Sequence, residues 1–243
     1  MRQVLTVGGI VAALAVGFAT LAGGGWQAAL VLFAFFIPSI ALSRLGRARK
    51  RTLVDIGKHG ARDARQVLAN GGVAALCALM AWRFEGAWLA AFAGAFAAAS
   101  ADTWGTEIGT LARRAPRSIL TFAPLATGIS GGVTVAGTLA EIAGAAFVGL
   151  VALLVGIAAF LPIAIGGVVG ALVDSILGAS LQSLRHCPAC DRDCETDPHD
   201  CGTATASRRG LVWFGNDAVN LAATFTGALV AGMLASFGPI LRP

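Results

Sequence analysis

The chain has 243 residues, 56% of them hydrophobic and only 13% charged, with a mean hydropathy of +0.76 and a formal net charge of +5. Average soluble domains carry about 25% charged residues, so this composition excludes an ordinary soluble enzyme and favours helices in lipid. Alternating strands of about ten residues, the signature of a membrane barrel, are absent from the sequence.

In chain order, seven apolar runs read as spans: about Val4–Ala22, Trp26–Leu42, Val67–Trp82, Ala87–Ala101, Gly132–Ala152, Leu154–Leu177 and Leu211–Ser236. A helix needs roughly 20 apolar residues to cross a ~30 Å hydrocarbon core. The first run reads as a span rather than a cleaved leader, being long for a leader and preceded only by Arg2. The third and fourth are short and expected to be tilted, broken or buried by neighbours. Abundant Ala and Gly suit helices that approach closely. The expected fold is all-α, a polytopic membrane bundle of about seven transmembrane helices in a single domain over 1–243. It divides into two variable spans (1–42), a basic loop (43–66) and the main bundle (67–243), which carries a small Cys/His insert at 183–210.

Three loops hold 15 of the 18 Lys and Arg residues. They are 43–66 (Arg44, Arg47, Arg49, Lys50, Arg51, Lys58, Arg62, Arg65), 102–131 (Arg113, Arg114, Arg117) and 179–210 (Arg185, Arg192, Arg208, Arg209). A seven-span path puts all three on one side, which the positive-inside rule makes cytoplasmic, with the N-terminus inside. The net charge is thus a topology signal that could also attract anionic headgroups or phosphates, and it requires no nucleic-acid partner.

The polar segments gather at the same helix ends: KHGARDARQVLANGG (58–72), ASADTWGTEIGTL (99–111), ATGISGGVTVAGT (126–138), GALVDSILGASLQ (170–182) and FGNDAVNL (214–221). The opposite connections are short. Asp102, Glu107, Asp174 and Asp217 therefore lie near one boundary, with Glu141 deeper and secondary. Ionisable groups at membrane depth are costly and mark functional sites; the rival reading is acids solvated at the interface or paired with nearby arginines. Asn216, Asp217 and Asn220 can share a helical face, and Gly170 and Gly178 would let another backbone or a ligand approach the face of Asp174. Asp102 and Glu107, five apart, diverge by about 140° on an unbroken helix. Gly105 either breaks that helix and brings them together, or they serve different partners.

Hard oxygen donors of this kind suit Mg²⁺ together with substrate phosphates. Lys58, Arg62 and Arg65 would complement phosphate charge, and backbone N–H groups around Gly128, Gly131 and Gly132 could close on an anion. No Walker-type GxxxxGK[ST] is present, which excludes a P-loop. In CPACDRDCETDPHDCG (187–202), Cys187, Cys190, His199 and Cys201 form a Cys₃His set of the size a tetrahedral structural Zn²⁺ needs. Cys194 is spare, His186 a possible substitute, and free or redox-active thiols are the rival reading. Cys77 reads as packing.

With these motifs in place, the chain resembles the integral membrane family of transmembrane protein 19 and phytyl-phosphate (prenyl-phosphate) kinase. RDARQVLANGG, ADTWGTEIG, GISGGVTVAGT, GALVDSILGASLQ, the Cys/His segment and FGNDAVN match in order between Lys58 and Leu221. The resemblance implies a CTP-dependent kinase that converts an isoprenoid monophosphate (phytyl, farnesyl or geranylgeranyl) to the diphosphate. Asp102, Thr103 and Glu107 match one core motif, Asp174 and Ser175 a second, and Asn216, Asp217 and Asn220 a third. Asp102, Glu107, Asp174 and Asp217 would hold Mg²⁺. Lys58, Arg62, Arg65, Asn70, Gly128, Ser130, Gly131, Gly132, Thr134 and Gln182 would contact nucleotide or substrate phosphate. Ile129 replaces a threonine found in many relatives, removing a hydroxyl from the phosphate loop. A lipid-phosphate transporter, or a prenol kinase or cytidylyltransferase sharing the phosphate site, are the alternatives.

Overall fold

The computed structural model describes residues 5–46 and 61–237. These form six helices: α1 (Val7–Arg44), α2 (Ala64–Arg83), α3 (Trp88–Gly109), α4 (Val135–Leu154), α5 (Phe160–Ser180) and α6 (Asn216–Phe237). Short strands occupy the connections at one end of the bundle. β1 (Arg117–Ser118) pairs antiparallel with β2 (Gly132–Val133), and the insert holds a sheet of order β4 (Arg192–Cys194), β3 (Leu184–Cys187), β5 (Ala206–Arg209).

Helix α1 is two arms. Its continuity breaks at Gly25, whose φ of +65° a residue with a side chain seldom adopts. The first arm runs parallel to α2, with Gly9 against Arg62, Val16 against Gly71 and Gly23 against Ala78. The second follows α3, where Phe35 stacks on Phe96 at 5.4 Å and Gly46 meets Leu111. Since α2 and α3 are joined by only a few residues and run oppositely, so do the two arms. The expected spans over 4–22 and 26–42 are thus a helical hairpin turned at one glycine. Five helices, all but α3, are long and apolar enough to cross a membrane.

Helix α3 is the axis of the bundle and packs against all five others. Every residue from Ala90 to Ala101 is buried, as expected of a helix apolar on all sides. It also extends well beyond the expected Ala101: the polar stretch Asp102–Gly109 continues the same helix. Polarity ends a run of hydropathy there without ending the hydrogen-bonded backbone. The other boundaries fall within a few residues of expectation except at the starts of α5 and α6, which lie at Phe160 rather than near 154 and at Asn216 rather than near 211.

Small residues set how closely these helices approach. A Cβ on Gly94 would strike the Gly227 carbonyl and the Ala231 methyl, and one on Gly166 would lie 2.6 Å from the Gly227 carbonyl oxygen. Helices α3, α5 and α6 therefore meet backbone to backbone at Gly94, Gly166 and Gly227. Caps fix the helix starts at the polar end. Thr6 Oγ1 accepts from Gly9 N at 3.1 Å, and Asp63 and Gln66 form a reciprocal capping box. Thr134 Oγ1 accepts from Gly137 N at 3.0 Å.

Replacing Gly94 with Val should force α3 off α6 and, as overpacking, cost about 1–3 kcal/mol. The thermal midpoint in detergent should fall clearly, whereas Gly17→Ala, where a Cβ meets nothing, should leave it unchanged.

Candidate functional site

The starts of α2, α4 and α6 and the ends of α3 and α5 converge around a cleft of about 870 Å³. That lies within the range of ligand pockets. Its floor is acidic. Asp102, Glu107, Glu141, Asp174 and Asp217 line it from α3, α4, α5 and α6. The glycine-rich loop Thr127–Thr134 forms one wall, and Arg62, Arg65, Gln66 and Asn70 of the α2 start form another.

Helix α3 passes through Gly105 without a break, so the alternative in which this glycine kinks the chain is not realised. Gly105 is instead a packing position: a Cβ there would lie 2.7 Å from Glu141 Oε1. Its absence lets Glu141 of α4 lie against α3 beside Asp102. Asp102 and Glu107 both reach the cleft because its walls come from several helices and curve around the end of α3.

The acids lie close enough to act on one another. Asp102 bears the like charges of Glu107, Glu141 and Asp174, and its carboxylate accepts a hydrogen bond from Thr106. Asp174 feels Asp102, Glu141 and Glu195, and its Oδ2 is buried with no hydrogen-bond partner among the described residues. An oxygen-seeking cation would fit beside the unpartnered Asp174 oxygen.

Other side chains found in the sequence are placed with equal clarity. Asn70 Nδ2 donates to the Gln66 carbonyl at 2.9 Å, and the Thr103 hydroxyl donates to the Ala99 carbonyl at 2.8 Å. The Thr134 hydroxyl serves as the α4 cap. Ser175, Asn216 and Asn220 line the cleft with Gly128, Ser130, Gly131 and Gly132. Gly178 does admit a backbone: a Cβ on it would lie 3.0 Å from Gly131 N. Gly131 has φ +81° and presses on Ala179, so the loop rests on the end of α5. Ile129 is buried and packs with Leu184 and Leu125, tying loop to insert where a threonine would offer a hydroxyl. Gln182 does not line the cleft but bonds Glu195, which does. Lys58 lies outside the described residues.

Glu195, Thr196 and Asp197 from the insert also line the cleft, and sequence reasoning assigned them nothing. Their only signal was acidity inside a segment dominated by cysteines. Asp197 is held below the usual carboxylate range by the Thr205 N–H and hydroxyl, and by Arg185 at 2.8 Å. This knot closes the insert on itself. In the same insert the ligand atoms of Cys187, Cys190, His199 and Cys201 all lie within 4.8 Å of one another. Cys187 and Cys201 sulfurs are 3.6 Å apart, and His199 Nδ1 is 3.2 Å from Cys201 Sγ. A tetrahedral site with ~2.3 Å metal–sulfur bonds needs sulfurs under about 4 Å apart. Within the cluster Thr203 and His199 pull the Cys201 thiol down to about 6 while its hydrogen bond pushes Cys190 up to about 11, so Cys201 is the first to reach the thiolate form. The cluster could therefore hold a metal such as zinc. Cys194 is buried beside it, its sulfur 3.7 Å from the Thr196 carbonyl.

Taken together, this is an integral membrane helix bundle with a polar, acid-floored cleft at one end and a metal-competent insert beside it. Residues 1–228 match the integral membrane protein family DUF92, and the chain belongs to that family. It is 33% identical to Protein PGR of Arabidopsis thaliana over 193 residues, covering 67% of each chain. An uncharacterized membrane protein of Methanocaldococcus jannaschii is 30% identical over 230 residues, 93% of this chain and 84% of that one. A second, from Synechocystis, is 26% identical over 238 residues, 95% of this chain and 82% of that one. No solved structure matches the chain.

Elemental analysis of the purified protein should find about one tightly held metal ion per chain. Replacing Cys187 and Cys190 together with Ser should remove it; unchanged metal content would place the ion elsewhere.

Proposed function

We propose that this protein is a CTP-dependent kinase that phosphorylates an isoprenoid monophosphate (phytyl, farnesyl or geranylgeranyl) to the diphosphate at the cytoplasmic membrane face. One observation carries the reading. Seven acids (five of them on helices), a glycine-rich loop and two arginines, from segments spread over more than 150 residues, line a single cleft at one end of a membrane bundle. That composition suits a phosphate-rich substrate pair and a divalent cation. The described basic residues of the three loops cluster at the same end, in support of a cytoplasmic orientation.

The chemistry asks little of a base. The attacking group is a phosphate oxygen, already anionic at neutral pH, so positioning and charge neutralisation do most of the work. Asp102, Glu107, Asp174 and Asp217 would hold Mg²⁺, which supplies neutralisation of the phosphate oxygens. Arg62 and Arg65, with Lys58, orient phosphates from the α2 side. Ser130 and its flanking glycines offer backbone N–H groups, and Asn70, Thr103, Ser175, Asn216 and Asn220 fix either substrate by hydrogen bonds. Gln182 acts through the insert. The apolar tail of the substrate lies between helices in the bilayer. In the insert, Cys187, Cys190, His199 and Cys201 would hold a structural Zn²⁺, four protein ligands leaving no open position for chemistry.

A transporter needs a path to the opposite face. A second cleft there is lined by Trp82, Phe84, Leu89 and Ala90, but the fully buried Phe92 and Phe96 and the alanines around them stand between the two. The packing favours an enzyme.

Purified protein supplied with Mg²⁺, CTP and farnesyl, geranylgeranyl or phytyl phosphate should form the diphosphate. Asp102→Asn and Asp174→Asn should each lower kcat by about a hundredfold or more while the protein stays monodisperse. Absence of product with every nucleotide and prenyl phosphate, from folded protein, would sink the proposal.

A further inference from the structure

Two carboxylates in the cleft, Glu195 and Asp197, come from no helix, and Glu195 is the one bonded to the glycine loop. Glu195 directly follows β4 of the insert, and its two oxygens are both engaged. Oε1 accepts the Ser130 N–H at 2.9 Å and Oε2 accepts Gln182 Nε2 at 2.8 Å. Gln182 is only 2% exposed, so its amide is a built donor rather than a surface side chain. Arg209 completes the set. Its Nη2 donates to the Gly178 carbonyl at 3.0 Å, its buried Nε has no partner among the described residues, and its charge acts on Glu195. Burial pushes the Glu195 carboxyl up, while the Ser130 N–H, Arg209 and Gln182 pull it back.

Two donors bonded to Glu195, a backbone N–H from a loop with left-handed glycines and a primary amide, together with a guanidinium that acts on it by charge, are groups of the kinds that recognise a phosphoryl group. Gly128 and Gly131, with φ +98° and +81°, give that loop its shape. Across the cleft, Glu195 faces Asp174 as a like charge. A carboxylate there is well bonded on one side and repelled from the other.

We propose that Ser130 N–H, Gln182 and Arg209 form a seat for a phosphoryl group of the substrate, and that Glu195 is its built-in occupant, displaced when that group enters. The seat rests on the reading of the glycine loop as a phosphate-binding element. Thr196 and Asp197 also line the cleft, so displacing Glu195 moves the rim of the insert with it. An incoming phosphate takes over the two hydrogen bonds and the attraction of Arg209, and the carboxylate that repels Asp174 leaves.

The test is calorimetric titration of the full-length protein in detergent with inorganic pyrophosphate, without nucleotide or prenyl phosphate. Glu195→Ala frees charge-assisted hydrogen bonds, each about 1.5–3 kcal/mol, so pyrophosphate should bind at least about tenfold more tightly. Glu195→Gln keeps an acceptor for the Ser130 N–H but loses the charge; it should show a smaller gain and decides the matter if the alanine variant does not fold. Arg209→Met should weaken binding relative to wild type. Limited proteolysis gives a second readout. Saturating pyrophosphate should expose the 183–210 segment to cleavage in wild type, and Glu195→Ala should be exposed without it. Pyrophosphate binding to the Glu195 variants that is absent or no tighter than wild type, or an insert whose protection pyrophosphate does not alter, would overturn the seat. Those results leave the kinase reading standing if prenyl phosphate still turns over. Tight pyrophosphate binding with no turnover of any prenyl phosphate would sink the kinase reading and keep the seat.

Discussion

The contact on which everything else depends is the meeting of α3, α5 and α6 at Gly94, Gly166 and Gly227. Lipid gives helices no hydrophobic reason to associate, so close van der Waals packing of small residues has to hold them. Here the packing is tight enough that a single methyl on Gly94 would strike the Gly227 carbonyl. The register of three helices is therefore fixed near their middles, and their polar ends follow. Sliding α3 by one turn would move Asp102 by about 5.4 Å and part it from Asp174. The buried Ala90–Ala101 segment looks chemically inert, yet it sets the geometry of the acids beyond it.

Those acids sit where their cost can be borne. Carboxylates in the middle of a bilayer demand pairing or water, while at the helix ends the cleft opens to solvent on one side. The cluster is nevertheless crowded: Asp102, Glu141 and Asp174 repel one another, while among the described residues the cations lining the cleft, Arg62 and Arg65, come from the start of α2. A structure that keeps like charges together at that cost has a use for them. On the kinase reading, the use is a cation shared with substrate phosphates.

Much of this could be read from the sequence, for identifiable reasons. Asp102, Glu107, Asp174, Asp217 and the glycine loop stood out because each sits where an apolar run turns polar, and helix alternation then puts those ends together. What could not be read was contact across the bundle. Gly105 carried a backbone explanation and a packing one, and only the presence of Glu141 at its side decides for packing. Ile129 read as a lost hydroxyl, whereas its place against Leu184 gives it a positive role in joining loop to insert. Glu195 was hidden because its partners, Ser130 and Gln182, are 65 and 13 residues away, and no periodicity links them.

The insert explains why a membrane bundle carries a cysteine-rich loop at all. Between Leu184 and Arg209 the buried residues are Leu184, Cys187, Cys194, His199 and Thr205, too few for a hydrophobic core. Its order must come from three short strands, the Arg185–Asp197–Thr205 knot and whatever ion the Cys₃His cluster holds. The helices furnish most of the cleft's acids, and the backbone donors of the glycine loop join them from a segment that rests on α5 and is tied to the insert. Glu195 and Gln182 are the tie, one on each side of the sheet's entry into the bundle. The metal-competent cluster and the glycine-loop wall of the cleft are in that sense one mechanical unit. On the kinase reading, an ion in the insert would govern the site by keeping the insert folded.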